Sequence, residues 1–375
     1  MDEQYDIRAL KTDRRGLLQR FGAAAIGITV VGGLAGCGEK EPAGTGAKIA
    51  STGEEPKLNF YNWDTYIGDT TLDDFKGASG VNVQMSFFAN NDELFAKLRG
   101  GKSGYDVIVP SDDAIVRLAL AGLVQPLDKT LIPNFKNIAP EFQDVPFDPK
   151  RLYSMPYTWL ALGIGYRKSK VNPAPDSWKV LFDSDQYKGR IALVSEAGDL
   201  FRLYAKYMGK SINDMTPELI KQIEPLLTRQ KANIKAFHED NGQDLLLSKE
   251  VDLVLEYNGD MAQAMAEDDD LGFVIPKEGS QLNADNLAIP KDAPHPKNAH
   301  AFINYLLDAE VGKKITETIL YPTPNQAAKS LMPDAYKNNS IIFPPADVMA
   351  KCEYPKFNEK LQPLYEEAFT RIRAA

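Results

Sequence analysis

Apolar and polar positions alternate from Lys57 through Leu58, Asn59, Phe60, Tyr61 and Asn62 to Trp63, the period of two that predicts a half-buried strand. A helical spacing follows over residues 70–76, a second strand over 81–85 and a second helix over 91–98. Tyr105-Asp106-Val107-Ile108-Val109-Pro110 reads as a short buried strand ending at Ser111, and the apolar periodicity over 114–121 as the helix after it. A strand at 191–194, helices at 201–208 and 217–227, a strand at 251–255 and a long helix at 298–307 continue the alternation. Strands that alternate with helices are the α/β signature, and no fixed-period repeat competes with it.

The middle of the chain breaks this rhythm. Residues 155–166 form one extended apolar run, Met155-Pro156-Tyr157-Thr158-Trp159-Leu160-Ala161-Leu162-Gly163-Ile164-Gly165-Tyr166, after which the pattern starts afresh. We read it as a crossing between two lobes. Leu287-Ala288-Ile289-Pro290 and Tyr321-Pro322-Thr323-Pro324-Asn325 place prolines where extended segments would cross back.

The N-terminus follows another plan. Arg14-Arg15 precedes an uncharged stretch from Phe21 to Ala35, which reads as an export signal. That stretch falls short of the roughly 20 apolar residues a bilayer span needs. The arginine pair resembles a twin-arginine signal, with Asp13 where Ser or Thr is usual. Leu34-Ala35-Gly36-Cys37 resembles the lipobox of bacterial lipoproteins, which implies cleavage before Cys37 and lipid on its thiol. The bland alternative is an ordinary Cys37 in an uncleaved anchor. Residues 38–56 begin rich in small and turn residues and read as a flexible tether.

Composition narrows the function classes. The chain of 375 residues carries a net charge of -9. Removing residues 1–37 takes away five basic and four acidic residues and leaves -10. An acidic surface speaks against nucleic acid and is compatible with a cationic ligand. Beyond Cys37 only Cys352 remains, so the mature chain has no intramolecular disulfide.

In an open α/β sheet, ligands sit beyond the carboxyl ends of the strands. Four such places combine rings, a hydroxyl and acids: residues 63–66, Ser111, residues 196–199 and residues 257–260. Carboxylates accept charge-assisted hydrogen bonds from ammonium groups, and ring faces attract the cation and cover its methylenes.

Five segments carry a family resemblance: Phe60-Tyr61-Asn62-Trp63-Asp64-Thr65-Tyr66, the stretch from Tyr105 to Ser111, Ile275-Pro276-Lys277-Glu278-Gly279, Asp285-Asn286-Leu287-Ala288-Ile289-Pro290, and the stretch from Tyr321 to Ala328. With them the chain resembles the spermidine/putrescine-binding proteins of bacterial ABC importers over almost its whole mature length. The resemblance implies a type II periplasmic-binding-protein fold, two α/β lobes with a ligand cleft between them. It assigns residues 57–161 and 285–329 to one lobe, and 166–281 and 333–375 to the other.

It further implies that Trp63, Asp64 and Tyr66 form the first ligand wall and that Ser111 gives a hydroxyl contact. Glu196 and Asp199 would face an amine, and Tyr257 would replace a tryptophan. Asp260 would match an acid of the putrescine-preferring branch, Asp285 the most telling carboxylate, and Tyr321 another aromatic contact. Asn283 and Asp113 stand where the family has rings. The first removes a ring face; the second adds charge or caps a helix starting at Ala114.

The implied role is capture of putrescine, spermidine or a related amine and delivery to ABC permease subunits by a lipid-anchored monomer. No cofactor, metal or catalysis is expected. Rival readings are a binder of another small solute, or an exported sensory or enzymatic module on the same scaffold.

The residues by themselves also admit blander roles. Trp63 and Tyr66 suit core packing, and Asp199 and Asp260 suit helix caps or exposed charge. Glu267-Asp268-Asp269-Asp270 reads as a solvated loop, without the spaced oxygens of a calcium loop. Gly100-Gly101-Lys102-Ser103 lacks the upstream glycine of a phosphate loop. His238, His295 and His300 have no metal-ligand spacing, and no nucleophilic triad can be assigned.

Overall fold

One 14-residue strand joins the two halves of the molecule. The computed structural model describes residues 48–239 and 241–375. The Arg14-Arg15 signal, Cys37 and the first part of the expected tether lie outside the described residues.

The first half contains β1 (Lys57–Asn62), α1 (Thr71–Ser79), β2 (Asn82–Phe87), α2 (Asn91–Arg99), β3 (Val107–Ile108) and α3 (Asp112–Leu120). The crossing strand β4 (Ser154–Arg167) follows a series of short 3-10 turns. The second half runs through β5 (Ile191–Val194), α4 (Ala197–Tyr207), α5 (Pro217–Lys231), β6 (Ile234–His238), α6 (Gly242–Leu247), β7 (Leu253–Tyr257), α7 (Asn258–Glu267) and β8 (Leu271–Val274). The chain then returns along β9 (Leu282–Ala288) to α8 (Pro296–Leu306), α9 (Ala309–Ile319) and α10 (Gln326–Leu331), and ends with α11 (Gln362–Ala374).

Among the described residues these strands form one sheet in the order β2-β1-β3-β9-β4-β7-β5-β6, with β8 also on β4. β4 pairs with β9 from Ser154 to Ala161 and with β7 from Leu162 to Tyr166, antiparallel in both. A strand flanked on both edges and covered on both faces needs apolar residues throughout, which is why its sequence shows no alternation. The pairs β1–β2, β1–β3, β5–β6 and β5–β7 are parallel, so helices must carry the crossovers.

Each half has its own core. Phe60, Phe75, Val107, Leu287, Phe302 and Ile315 meet in the first, and Trp178, Phe182, Ile191, Phe201, Leu255 and Phe369 in the second. Local signals set the helix ends. At α2, the Asn90 side chain accepts from the Glu93 N–H at 2.9 Å while Glu93 accepts from the Ala89 N–H at 2.9 Å.

Four expectations change. α3 starts at Asp112, so Asp113 lies inside its first turn and does not cap it. β3 is only two residues long because its neighbour Pro110 has no N–H to continue the ladder; the Pro110 carbonyl accepts from the Asn286 N–H at 2.9 Å. α5 runs on past Pro225 to Lys231, since Ile220, Ile223, Leu227 and Gln230 keep one buried face. The stretch assigned to the tether is fastened from Ile49 onward. The Ile49 N–H donates to Ala78 at 2.9 Å, and the Glu54 carboxylate accepts the Asn298 N–H at 2.9 Å at the start of α8.

Candidate functional site

The residues just beyond several strands converge on one cavity of about 300 Å³. Its lining includes Trp63, Asp64, Tyr66, Ser111, Glu196, Asp199, Tyr257, Asp260, Asp285 and Tyr321, so every residue singled out for the cleft borders it.

The turn after β1 is held from three sides. Asn62 Nδ2 donates to the Tyr66 carbonyl at 2.9 Å, the Tyr157 hydroxyl donates to the same oxygen at 2.8 Å, and Trp63 Nε1 donates to the Val109 carbonyl at 2.9 Å. Thr65 takes φ 53, a left-handed conformation that a β-branched residue rarely adopts. The turn delivers the Tyr66 ring to the interior at 5% exposure. Its hydroxyl donates to Asp285 Oδ2 at 2.7 Å and also meets the Thr158 hydroxyl.

Alternation along β9 gives Asn283 and Asp285 to the cavity. On β4, Leu160 lines the cavity, while its neighbour Trp159 packs with Leu282 in a cluster that includes Phe142 and Phe343. At the start of α7, Asp260 Oδ2 accepts from the Tyr321 hydroxyl at 2.6 Å. Gly259 makes that approach feasible, because a Cβ there would lie 2.3 Å from the Tyr321 ring. The Tyr66 and Tyr321 rings meet edge to face at 4.9 Å.

The other end is wired differently. Asp199 Oδ1 accepts from Arg202 at 2.7 Å and from Gln281 Nε2 at 2.6 Å, and Asp199 Oδ2 accepts from the Tyr257 hydroxyl at 3.2 Å. Gln281 Nε2 also donates to Asn283 Oδ1 at 3.1 Å. Ser111 donates to Asp113 Oδ1 at 3.0 Å and accepts from Asn91 Nδ2 at 2.8 Å.

Burial raises the acids of the first end. The Asp285 carboxyl is pushed up to about 7 by desolvation, against the pull of the Tyr66 hydrogen bond, with Asp260 adding to the rise. Asp260 is pushed up to about 6, again by desolvation, with Asp244 adding to it and Tyr321 opposing. Enclosure, then Asp199 and Asp113, raise Glu196 to about 8, although its side chain is exposed at the cleft and the water reaching it works against that rise. The described lining contains no Lys, Arg or His. Nor does any group of three or more His, Cys, Asp or Glu among the described residues have an arrangement suited to a metal ion. The acids instead surround a space bordered by four aromatic rings, an environment that stabilises an extended organic cation.

A family model described as bacterial extracellular solute-binding protein matches residues 70–344. The spermidine/putrescine-binding periplasmic protein of Salmonella typhimurium is 33% identical over 331 residues, 88% of this chain and 95% of its own length. The chain belongs to the bacterial extracellular solute-binding proteins. Within that family, the putrescine-binding periplasmic protein PotF of Escherichia coli is 30% identical over 341 residues, covering 86% of this chain and 92% of its own. The solved spermidine/putrescine ABC transporter substrate-binding protein PotD of Streptococcus pneumoniae superposes with a TM-score of 0.74 at 32% identity, covering 85% of this chain and 98% of that one. The expected fold class stands, since this solute-binding protein and its solved relative share the α/β architecture.

The cavity of this solute-binding protein also has members the sequence reading missed. Glu239, Gln243, Asp244 and Glu267 line it from beyond β6, from α6 and from the end of α7. The signal for Glu239 was present. Glu239 directly follows the strand Ile234–His238, the kind of position at which Trp63, Ser111 and Glu196 also stand. Asp244 and Glu267 carried no local signal, because helix position alone does not say which face meets a cavity.

Proposed function

We propose that this chain captures a linear aliphatic polyamine in the cleft and delivers it to an ABC permease outside the cytoplasm. The observation that carries this reading is the lining itself: acids and aromatic rings around one cavity, with no basic side chain among the described lining residues. The terminal ammonium groups of a linear polyamine find carboxylates, and its methylenes find the faces of Trp63, Tyr66, Tyr257 and Tyr321. The names of the relatives point the same way.

The mechanism is closure. Residues 57–161 with 285–329 form one lobe, and 166–281 with 333–375 the other, so that β4 and β9 serve as the hinge strands. Bound amine bridges Asp285, at the seam, to Glu196 of the second lobe, and so favours the closed form by differential contact. The ligand leaves chemically unchanged. Residues 1–37 direct export by the twin-arginine route and leave Cys37 to carry lipid, and the monomer works at the membrane surface.

Isothermal calorimetry of the mature chain against putrescine, spermidine, cadaverine and agmatine tests the ligand class. Micromolar or tighter binding of at least one is expected, together with a rise in Tm at saturating ligand. Absence of both heat and thermal shift with all four amines overturns the reading.

A further inference from the structure

Arg202 stands just outside the cavity lining, on the second turn of α4, and is 8% exposed. Its guanidinium folds back over Gly198, where an added Cβ would lie 3.1 Å from two of its nitrogens. One nitrogen donates to Asp199 Oδ1 at 2.7 Å, while Nε donates to Gln281 Oε1 at 2.7 Å. Gln281 turns its own amide to the same Asp199 oxygen at 2.6 Å, which closes a three-membered ring of contacts. The Tyr365 ring lies 6.0 Å from the guanidinium carbon.

Among the described residues the acids at the other end have no guanidinium partner. Asp285 is held by the hydroxyls of Tyr66 and Thr158, and Asp260 by that of Tyr321. A buried carboxylate that already pairs with a guanidinium offers little net field to a second cation, whereas one held only by neutral donors keeps its full attraction.

We propose that Arg202 determines specificity by neutralising Asp199 from the protein side, which makes the cleft a reader of two charges rather than three. The reading of the cleft as an amine site underlies this inference. One ammonium of the ligand is taken by Asp285 and Asp260. The second is taken by Glu196, which lines the cavity together with Asp113. A third ammonium finds no uncompensated charge at Asp199, so linear diamines are the preferred class. Arg202 acts through Asp199 and is a positioning residue in this scheme.

The test is calorimetry with putrescine, spermidine and 1,8-diaminooctane, the last matching spermidine end to end with one ammonium fewer. The wild-type chain is expected to bind spermidine and 1,8-diaminooctane within about threefold of each other. In Arg202→Gln, which retains hydrogen-bonding capacity without charge, spermidine should gain at least about fivefold over 1,8-diaminooctane. Arg202→Lys, which retains the charge, should restore the wild-type ratio. A purely structural role would weaken all three ligands together and leave the ratio alone. A wild-type preference for spermidine of about tenfold or more overturns the inference without any variant. So does an unchanged ratio in folded Arg202→Gln. Failure of all three amines to bind the wild type overturns the amine reading and the inference with it, whereas binding with the wrong ratio overturns the inference alone.

Discussion

At the Asp285 end of the cleft the acids meet hydroxyl groups and, among the described residues, no cation, whereas at the Asp199 end a guanidinium lies 2.7 Å from the carboxylate. Both ends are buried and both use tyrosine hydroxyls. The difference lies in how each meets the cost of desolvating a negative charge. Asp199 meets it with a built-in counter-ion. Asp285 and Asp260 meet it by holding protons closer to neutral pH than carboxylates ordinarily do, up to about 7 and about 6. A site that holds a proton for want of a cation is one that a cationic ligand can claim.

The comparison breaks most readily at Asp285. Asp285→Ala should weaken putrescine binding by about 30-fold or more, since removing one partner of a buried charge pair costs about 2–5 kcal/mol. Unaltered affinity by calorimetry would show that the Asp285 end does not hold the amine.

The next effect is a pH dependence, whose sign follows from the raised values. In the folded empty chain Asp285 and Asp260 keep protons that the unfolded chain releases near pH 4. The part of the empty protein's stability that these two acids contribute therefore falls as pH rises from about 4 toward about 7. Amine binding requires the ionised acids, so affinity for putrescine should rise about tenfold between pH 5.5 and 8, with protons released on binding. Calorimetry in two buffers of different ionisation heat counts those protons. A flat profile would remove the distinction between the two ends.

A smaller change sharpens the same end. Tyr66→Phe removes one donor to Asp285 and should cost about 1 kcal/mol, a threefold to tenfold loss of affinity. Because that hydrogen bond holds the Asp285 carboxyl down, its loss should also shift the pH profile upward.

The smallest effect is expected at the other end. Tyr257→Phe removes a 3.2 Å hydrogen bond to an acid that keeps both Arg202 and Gln281, so affinity should change by less than about threefold. A larger loss there than in Tyr66→Phe would invert the comparison.

Much of the cleft was legible because ligand positions in an α/β sheet are topological. Trp63, Ser111, Glu196 and Tyr257 each sit at or just beyond a strand end, and strand ends are local patterns. Asp285 was legible for a different reason, through the family segment that holds it. Asp244 on α6 and Glu267 at the end of α7 were not, because they gain their place only when the two helices pack beside β4 and β7. Arg202 was hidden more deeply still. On the sequence it is one basic residue in an amphipathic helix, with nothing to show that it folds back over Gly198 onto Asp199.

By itself the sequence determined the α/β alternation, the long crossing strand and the chemistry of the cleft, since periodicity and residue type act over a few neighbours along the chain. Only the tertiary structure decided which acids stand alone and which are neutralised. Coulomb interactions and desolvation depend on distances between groups such as Tyr66 and Asp285, 219 residues apart, or Gln281 and Asp199, 82 apart. No local pattern encodes those distances.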